Sequence, residues 1–470
     1  MPQSLFFKQT LLNIFLKFKN VYKKQNHPQF IKLILLCFSF FFITGTYAIL
    51  RPLKASVFLG MVGKEYQPLT KIISIIILIP CMLLYAKLVN KLKRYQVVYF
   101  FLILYIIGLI LVAIGLSHPT LGLKNTNTNI NRILGWIFYL FTDLYSPLVV
   151  STFWAFANSI STIDFAKKNY GKIVAFSRIG GILTALISWF IMQISQISYD
   201  ISIPYLLISC SLFLTITYFC ISQIIKKIPN KYLHGYEAVY KAEKEKLKRK
   251  NTPNGLFSGL KFIITKPYIF GIFWLVYIYD AISVIIDYQM QVLISVKTNN
   301  GVQQMSSFMF LYTAAFHILT LFFAFFGTSI VLKKIGVKFS ILIMPIATIL
   351  LMTFLLCNTS LYSVFIIMIL FRAIHYGFNA PVREILYIPT TKDIKFKSKA
   401  WIDSFGKSLS KTSGSTFNLL SQAQNSFYLI KIDSIFAIAI SVIWTIISIF
   451  IGKKYSKTIK NNQVIGEEKL

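Results

Sequence analysis

Apolar residues in this chain gather in long unbroken runs, separated by short stretches rich in lysine, asparagine and glycine. The runs are near 20 residues, enough for a helix rising about 1.5 Å per residue to cross the ~30 Å hydrocarbon core of a bilayer. A barrel strand would instead show about ten residues of apolar and polar alternation. In lipid every backbone N–H and C=O needs an internal partner, so runs of this length predict helices. Twelve are expected. The first six lie near 31–50, 70–90, 96–116, 133–157, 172–196 and 202–225, and the second six near 268–295, 306–331, 338–357, 361–382, 400–424 and 432–452. The fifth and eleventh are the least apolar, the eleventh markedly so.

The polar positions between the runs are not evenly shared. Lysines gather before the first span, then at Lys91 and Lys93, at Lys167 and Lys168, at Lys333 and Lys334, from Lys392 to Lys399, and after the last span. They recur in every second connection, which by the positive-inside rule places both termini in the cytoplasm. The one long polar stretch, 226–266, contains the run Glu243-Lys244-Glu245-Lys246 and divides the chain in two. The expected organisation is a basic N-terminal segment (1–30), a first six-helix bundle (31–225), a cytoplasmic linker (226–266), a second bundle (267–452) and a tail (453–470). This is an all-α membrane protein of about 12 transmembrane helices in two six-helix bundles, a major facilitator-like layout, and the bilayer is its first partner.

Composition sharpens this picture. Of 470 residues 56% are hydrophobic and 14% charged, against roughly 25% charged in soluble domains. The 49 Lys+Arg outnumber the 15 Asp+Glu, for a formal net charge of +34. Such an excess suits nucleic acid, an anionic membrane surface or an anionic small substrate. Nucleic acid is set aside, because the lysines are scattered between apolar spans and no recognition module is present. The five cysteines sit within apolar runs without metal-ligand spacing and read as small buried hydrophobes. The first apolar run starts too far in, and is too long, for a secretory signal, so it is expected to be retained as a span in the cell (inner) membrane. There is no Walker A loop, nucleophile elbow or zinc-protease motif, so neither catalysis nor a cofactor is expected, and any transport is secondary.

A charge at the centre of a membrane helix costs about 2.5–3.5 kcal/mol on insertion scales, so it should face a cavity or a partner. Arg51 and Lys54 end the first span, Asp143 interrupts the fourth, and Arg178 precedes Gly180-Gly181 in the fifth. Asp280 and Asp287 share one face of the seventh span, while Arg372 and His375 in the tenth read as structural. Asp403, Lys407 and Lys411 recur every fourth residue and form one stripe on the eleventh span. Interfacial anchoring of Arg51 and Lys54, ion pairing of the aspartates, or an Asp403–Lys407 bridge would each account for part of this pattern. The excess of cations favours a phosphate-bearing substrate gripped by charge-assisted hydrogen bonds. Tyr145, Phe153, Trp154 and Tyr279 offer faces on which a nucleobase could stack, with packing as the ordinary role of such rings.

Several stretches resemble the ATP/ADP translocase family of plastids and intracellular bacteria. Ala48-Ile49-Leu50-Arg51-Pro52-Leu53-Lys54 resembles that family's Ile-Leu-Arg-Asp-x-Lys-Asp, and Phe153-Trp154-Ala155-Phe156-Ala157-Asn158 its Phe-Trp-Gly-Phe-Ala-Asn. Asp143-Leu144-Tyr145-Ser146 resembles Glu-Leu-Trp-Gly-Ser, and Arg383-Glu384-Ile385-Leu386-Tyr387-Ile388-Pro389 resembles Lys-Glu-Met-Ala-Tyr-Ile-Pro. Lys399-Ala400-Trp401-Ile402-Asp403 and the stretch from Gly406 to Gly414 resemble Lys-Ala-Ala-Ile-Asp and Gly-Asn-Pro-Leu-Gly-Lys-Ser-Gly-Gly. The resemblance implies a nucleotide transporter exchanging ATP for ADP by alternating access, with functional cations at Lys54 and Lys411 and functional carboxylates at Asp143 and Asp287. Both carboxylates are the shorter Asp where the family has Glu, and Lys407 stands where it has Asn. The candidate substrate-binding set is Lys54, Lys411, Arg51, Asp143, Asp287, Lys407 and Arg178. The other readings are a carrier of another organic anion, such as a different nucleotide taken up with a proton or a sugar phosphate, and a membrane-embedded transferase.

Overall fold

The computed structural model describes residues 27–194, 198–229, 233, 258–323, 328–391, 394, 398–421 and 426–466. The N-terminal segment before residue 27 and most of the expected linker lie outside the described residues. The long apolar runs are helices. In the first half these are α1 (His27–Met61), α2 (Gln67–Lys91), α3 (Arg94–Ser117), α4 (Ile133–Ser159), α5 (Ile163–Gln193) and α6 (Tyr199–Lys227). In the second half they are α7 (Pro267–Lys297), α8 (Val302–Phe322), α9 (Lys334–Ser340 with Ile343–Cys357), α10 (Leu361–Ile385), α11 (399–421) and α12 (Ser426–Lys460). Ten are individually long and apolar enough to cross a membrane, and the bent α9 brings the number to 11. The remaining one, α11, is as polar as its sequence announced.

Two helices, α1 and α9, depart from the apolar runs, each for a local reason. α1 continues past Arg51 and Lys54 to Met61, because those side chains face the interior and the helix has no need to stop where the run does. α8 is described as far as Phe322, and 324–327, within the expected span, lie outside the described residues. α9 is bent by 69° between its two parts. Gly336, at φ +70°, takes a left-handed backbone that side chains disfavour, and it interrupts the helical geometry just before the bend.

Helix neighbours repeat with a shift of six. α1 packs on α5 and α6 as α7 packs on α11 and α12, α3 packs on α6 as α9 does on α12, and the halves meet where α5 packs on α8 and α2 on α11. Close approach is made by glycines. A Cβ at Gly180 would lie 2.6 Å from the Phe41 carbonyl on α1, and one at Gly414 would lie 2.7 Å from the Ala281 carbonyl on α7. Buried apolar side chains form two main cores, one from α1 and α3–α6, the other from α7, α9, α10 and α12. α8 bridges them, with Met305 and Phe310 in the first core and Tyr312 in the second. Large apolar side chains such as Leu111, Ile114, Ile187 and Phe190 point outward, as lipid requires. The chain is a multi-pass membrane protein.

Candidate functional site

Between the halves lies a partly open cavity, about 890 Å³ with its opening to solvent counted in, lined from α1, α2, α4, α7, α8, α10 and α11. Its charged lining is Arg51, Lys54, Lys71, Arg372 and Lys411 against Asp143, Asp280 and Asp287, an excess of cation over carboxylate. Lys54 and Lys411, the two cations singled out by the resemblance, share this one chamber although they belong to opposite halves.

The charges form two clusters of the same kind. In the first half, Asp143 on α4 accepts from both Lys54 of α1 and Lys71 of α2, the latter at 2.7 Å. Both ammonium groups lie over the Tyr139 ring, at 4.8 and 5.2 Å from its centroid, where the π-face favours a cation. In the second half, Asp287 on α7 pairs with Arg372 of α10 at 3.1 Å, and Arg372 lies 5.7 Å from the centroid of the Tyr312 ring. Arg51 reaches Asp287 from α1 at 3.9 Å, an ion pair across the two halves. Polarity is reversed between clusters: α1 gives the cation and α4 the anion, whereas α7 gives the anion and α10 the cation. The side chains of Asp143 and Asp287 stay 19% and 25% exposed, so both carboxylates face the open space. Each cluster keeps one positive charge more than its carboxylate neutralises. A third carboxylate, Asp280, lies within electrostatic reach of Lys411 and has a buried Oδ2 without a hydrogen-bond partner among the described residues.

Local backbone geometry explains how helices present these groups. α4 carries a π-helical turn at Ser146–Val150 immediately after Asp143, with Pro147 inside it. Proline has no N–H to give the Asp143 carbonyl, so the regular ladder fails there and a wider turn takes its place. α10 has the same device at His375–Asn379, following Arg372, and α11 at Ile402–Gly406.

On α11 the stripe expected from spacing by four is divided between an ion pair and the cavity. Lys407 pairs with Asp403 at 3.0 Å, with Arg383 4.0 Å from the same carboxylate, while Lys411 alone of the three lines the cavity. Arg178 sits beside the chamber rather than on its wall. Its guanidinium lies 3.3 Å from the His317 ring nitrogen and 5.6 Å from the centroid of the Tyr376 ring. Phe153 and Trp154 pack around Phe40, and the wholly buried Tyr145 donates to the Ile43 carbonyl at 3.0 Å. Of the four aromatics considered from sequence, Tyr279 alone lines the cavity, together with Tyr47, Tyr139, Tyr312 and Tyr376.

Sequence reasoning missed Lys71 and set Arg372 aside as structural. Lys71 lies at the edge of the second apolar run, where a lysine reads as an interfacial anchor. The signal for Arg372 was present, as a full charge in the tenth apolar run, with Asp287 already exposed as a carboxylate in need of a partner.

Comparison with known proteins agrees with this architecture. The solved structures that the fold resembles include the xylose transporter XylE from E. coli in an inward-open conformation, with a TM-score of 0.58 at 14% identity, covering 88% of this chain and 95% of that one. A bacterial homologue of the iron transporter ferroportin gives a TM-score of 0.60 at 12% identity, covering 90% and 100%. Among curated proteins, ADP,ATP carrier protein 4 of Rickettsia typhi is 25% identical over 84% of each chain. ADP,ATP carrier protein 1, chloroplastic, of Arabidopsis thaliana is 26% identical over 82% of this chain and 67% of its own length. Residues 13–455 match the family described as TLC ATP/ADP transporter, and the chain belongs to that family.

Proposed function

We propose that the protein exchanges ATP and ADP across a membrane by alternating access, holding the phosphates in the cavity between its halves. One observation carries this reading: five cations from α1, α2, α10 and α11 converge on a single chamber with only three carboxylates to offset them. An ammonium or guanidinium already partnered by a carboxylate exchanges it for phosphate oxygens at little desolvation cost, since the chamber is open to water. Lys54 and Lys71 form one grip, Arg51 and Arg372 a second, and Lys411 a third on the facing wall. The five tyrosines of the lining supply faces for the base. Both termini lie on the cytoplasmic side, as the lysine distribution predicts.

The test is uptake of labelled ATP by liposomes carrying the purified protein and preloaded with ADP. Lys54→Gln and Lys411→Gln should each lower exchange by roughly tenfold or more, the scale of one lost charge-assisted hydrogen bond. Exchange at the wild-type rate in both variants would overturn the site. Equal competition by sugar phosphates and nucleotides would replace the nucleotide with a broader organic anion.

A further inference from the structure

Outside the cavity, at the junction of α7, α11 and α12, lies an intramembrane carboxylate that the transport site does not use. Asp433 on α12 is wholly buried, at 0% exposure, and among the described residues no Lys, Arg or His lies within ion-pair distance. Gln289 of α7, also buried, donates from Nε2 to Asp433 Oδ2 at 3.0 Å. Ser421 of α11 is a second neutral neighbour. Among the described residues the other carboxylate oxygen, Oδ1, has no partner, and neither has Gln289 Oε1, Asn418 Oδ1 or the Ser434 hydroxyl.

This arrangement is inconsistent with a resident negative charge. An ionised carboxylate taken out of water requires a cation or several donors, and one neutral hydrogen bond returns less than the desolvation removes. A proton on the carboxyl group removes the charge, and it turns one orphaned acceptor into a donor in a region where buried acceptors are unsatisfied. The surroundings contain little else that titrates. From α7 the neighbouring group is Tyr288, which is within electrostatic reach of Asp433 and of Glu65 in the α1–α2 connection. α11 presents Ser421 and Asn418, and α9 has no titratable side chain from Ile343 to Leu356. Lys338 lies against Gly452, at the far end of α12. On α12 itself Tyr428 lies five residues away, and Lys431 is two positions earlier, about 200° round the helix.

Two features connect this group to the rest of the molecule. Gln289 stands two residues after Asp287, so α7 presents one residue to the cavity and the other to α12. Tyr288, next to Gln289 in sequence, is within electrostatic reach of the exposed Glu65 of the opposite half as well as of Asp433. We propose that Asp433 is a proton-binding site, separate from the substrate cavity, whose loading sets how α7 seats against α12 and so links proton movement to the transport cycle. The transport part of this statement rests on the exchange reading above; the binding part does not.

Two experiments separate them. Infrared difference spectroscopy of the purified protein in liposomes, without nucleotide, should show at neutral pH the C=O stretch of a neutral carboxylic acid that disappears in Asp433→Asn. Gln289→Met removes the amide donor that favours the ionised form, so the acid band should persist to higher pH than in the wild type. This variant decides the matter if Asp433→Asn does not fold. An acid band unchanged in Asp433→Asn, or a titration unmoved in Gln289→Met, overturns the binding site whether or not nucleotide is carried. In the second experiment an imposed pH gradient across roughly pH 5 to 8 should alter wild-type nucleotide exchange severalfold. In Asp433→Asn it should have no effect, with KM for nucleotide within about twofold of wild type. A gradient response retained in Asp433→Asn overturns the coupling.

Discussion

Asp143 shows what single residues contribute to this cavity. It accepts from two lysines on two helices, so each ammonium is held near the chamber without being fully neutralised. In the proposed site Lys71 stands with Lys54 as a grip on phosphate. Lys71→Gln keeps a hydrogen-bonding head but loses the charge; we expect KM for nucleotide to rise by roughly tenfold while the protein still purifies as a folded species. Saturation kinetics in liposomes check this, and an unchanged KM would return Lys71 to the role of an anchor. Five of the eight charged lining residues were legible from sequence as candidates because a charge inside an apolar run is costly and therefore conspicuous. Lys71 was not, since at the end of a run the same side chain can reach headgroups without cost. Lys407, also a candidate from sequence, is not among the lining residues. Its spacing from Lys411 is helical, but a π-helical turn at Ile402–Gly406 leads into its helix and Asp403 engages it.

At the scale of elements, apolar length located the helices well and their ends poorly. The run that predicts α1 stops at the first charge, whereas the helix continues to Met61, because whether a helix ends is decided by which way its charges face. The π-helical turns in α4, α10 and α11 were not legible, though Pro147 and Pro381 mark two of their neighbourhoods. Each follows or contains a charged residue of the site or its border, which fits the use of wide turns to redirect a side chain. The α7–α11 contact rests on Gly414, whose Cβ position is 2.7 Å from a backbone oxygen that cannot step aside. Gly414→Ala should therefore destabilise the protein by about 1–3 kcal/mol, read as a lowered melting temperature in detergent. A melting temperature equal to wild type would show that α11 has room to shift.

For the molecule as a whole, the sixfold shift in helix neighbours is the repeat that the sequence does not display, since packing partners are kept by shape while residue identities drift. The halves are fastened on the side where α1 ends. Ser56 and Ser306 hydroxyls lie 2.6 Å apart, Gln193 donates to Ser307 at 2.6 Å, and Gln303 donates to the Met192 carbonyl at 3.0 Å. Alternating access requires these bonds to part. With the five native cysteines replaced, the pair Ser56→Cys and Ser306→Cys should cross-link on oxidation and stop exchange until a reductant is added. Undiminished exchange by the cross-linked protein would show that this side never opens. A further fastening is Arg51 to Asp287, the ion pair that joins one half to the other inside the chamber. An arriving phosphate competes for that arginine, and a vacant chamber gives the bond back. An unladen carrier is accordingly tethered to itself and has no free passage home, which is how one-for-one counting of passengers would be enforced without any separate latch. Arg51→Gln should loosen that discipline, so that preloaded vesicles leak nucleotide into buffer containing none, and a leak no faster than wild type would place the bookkeeping elsewhere.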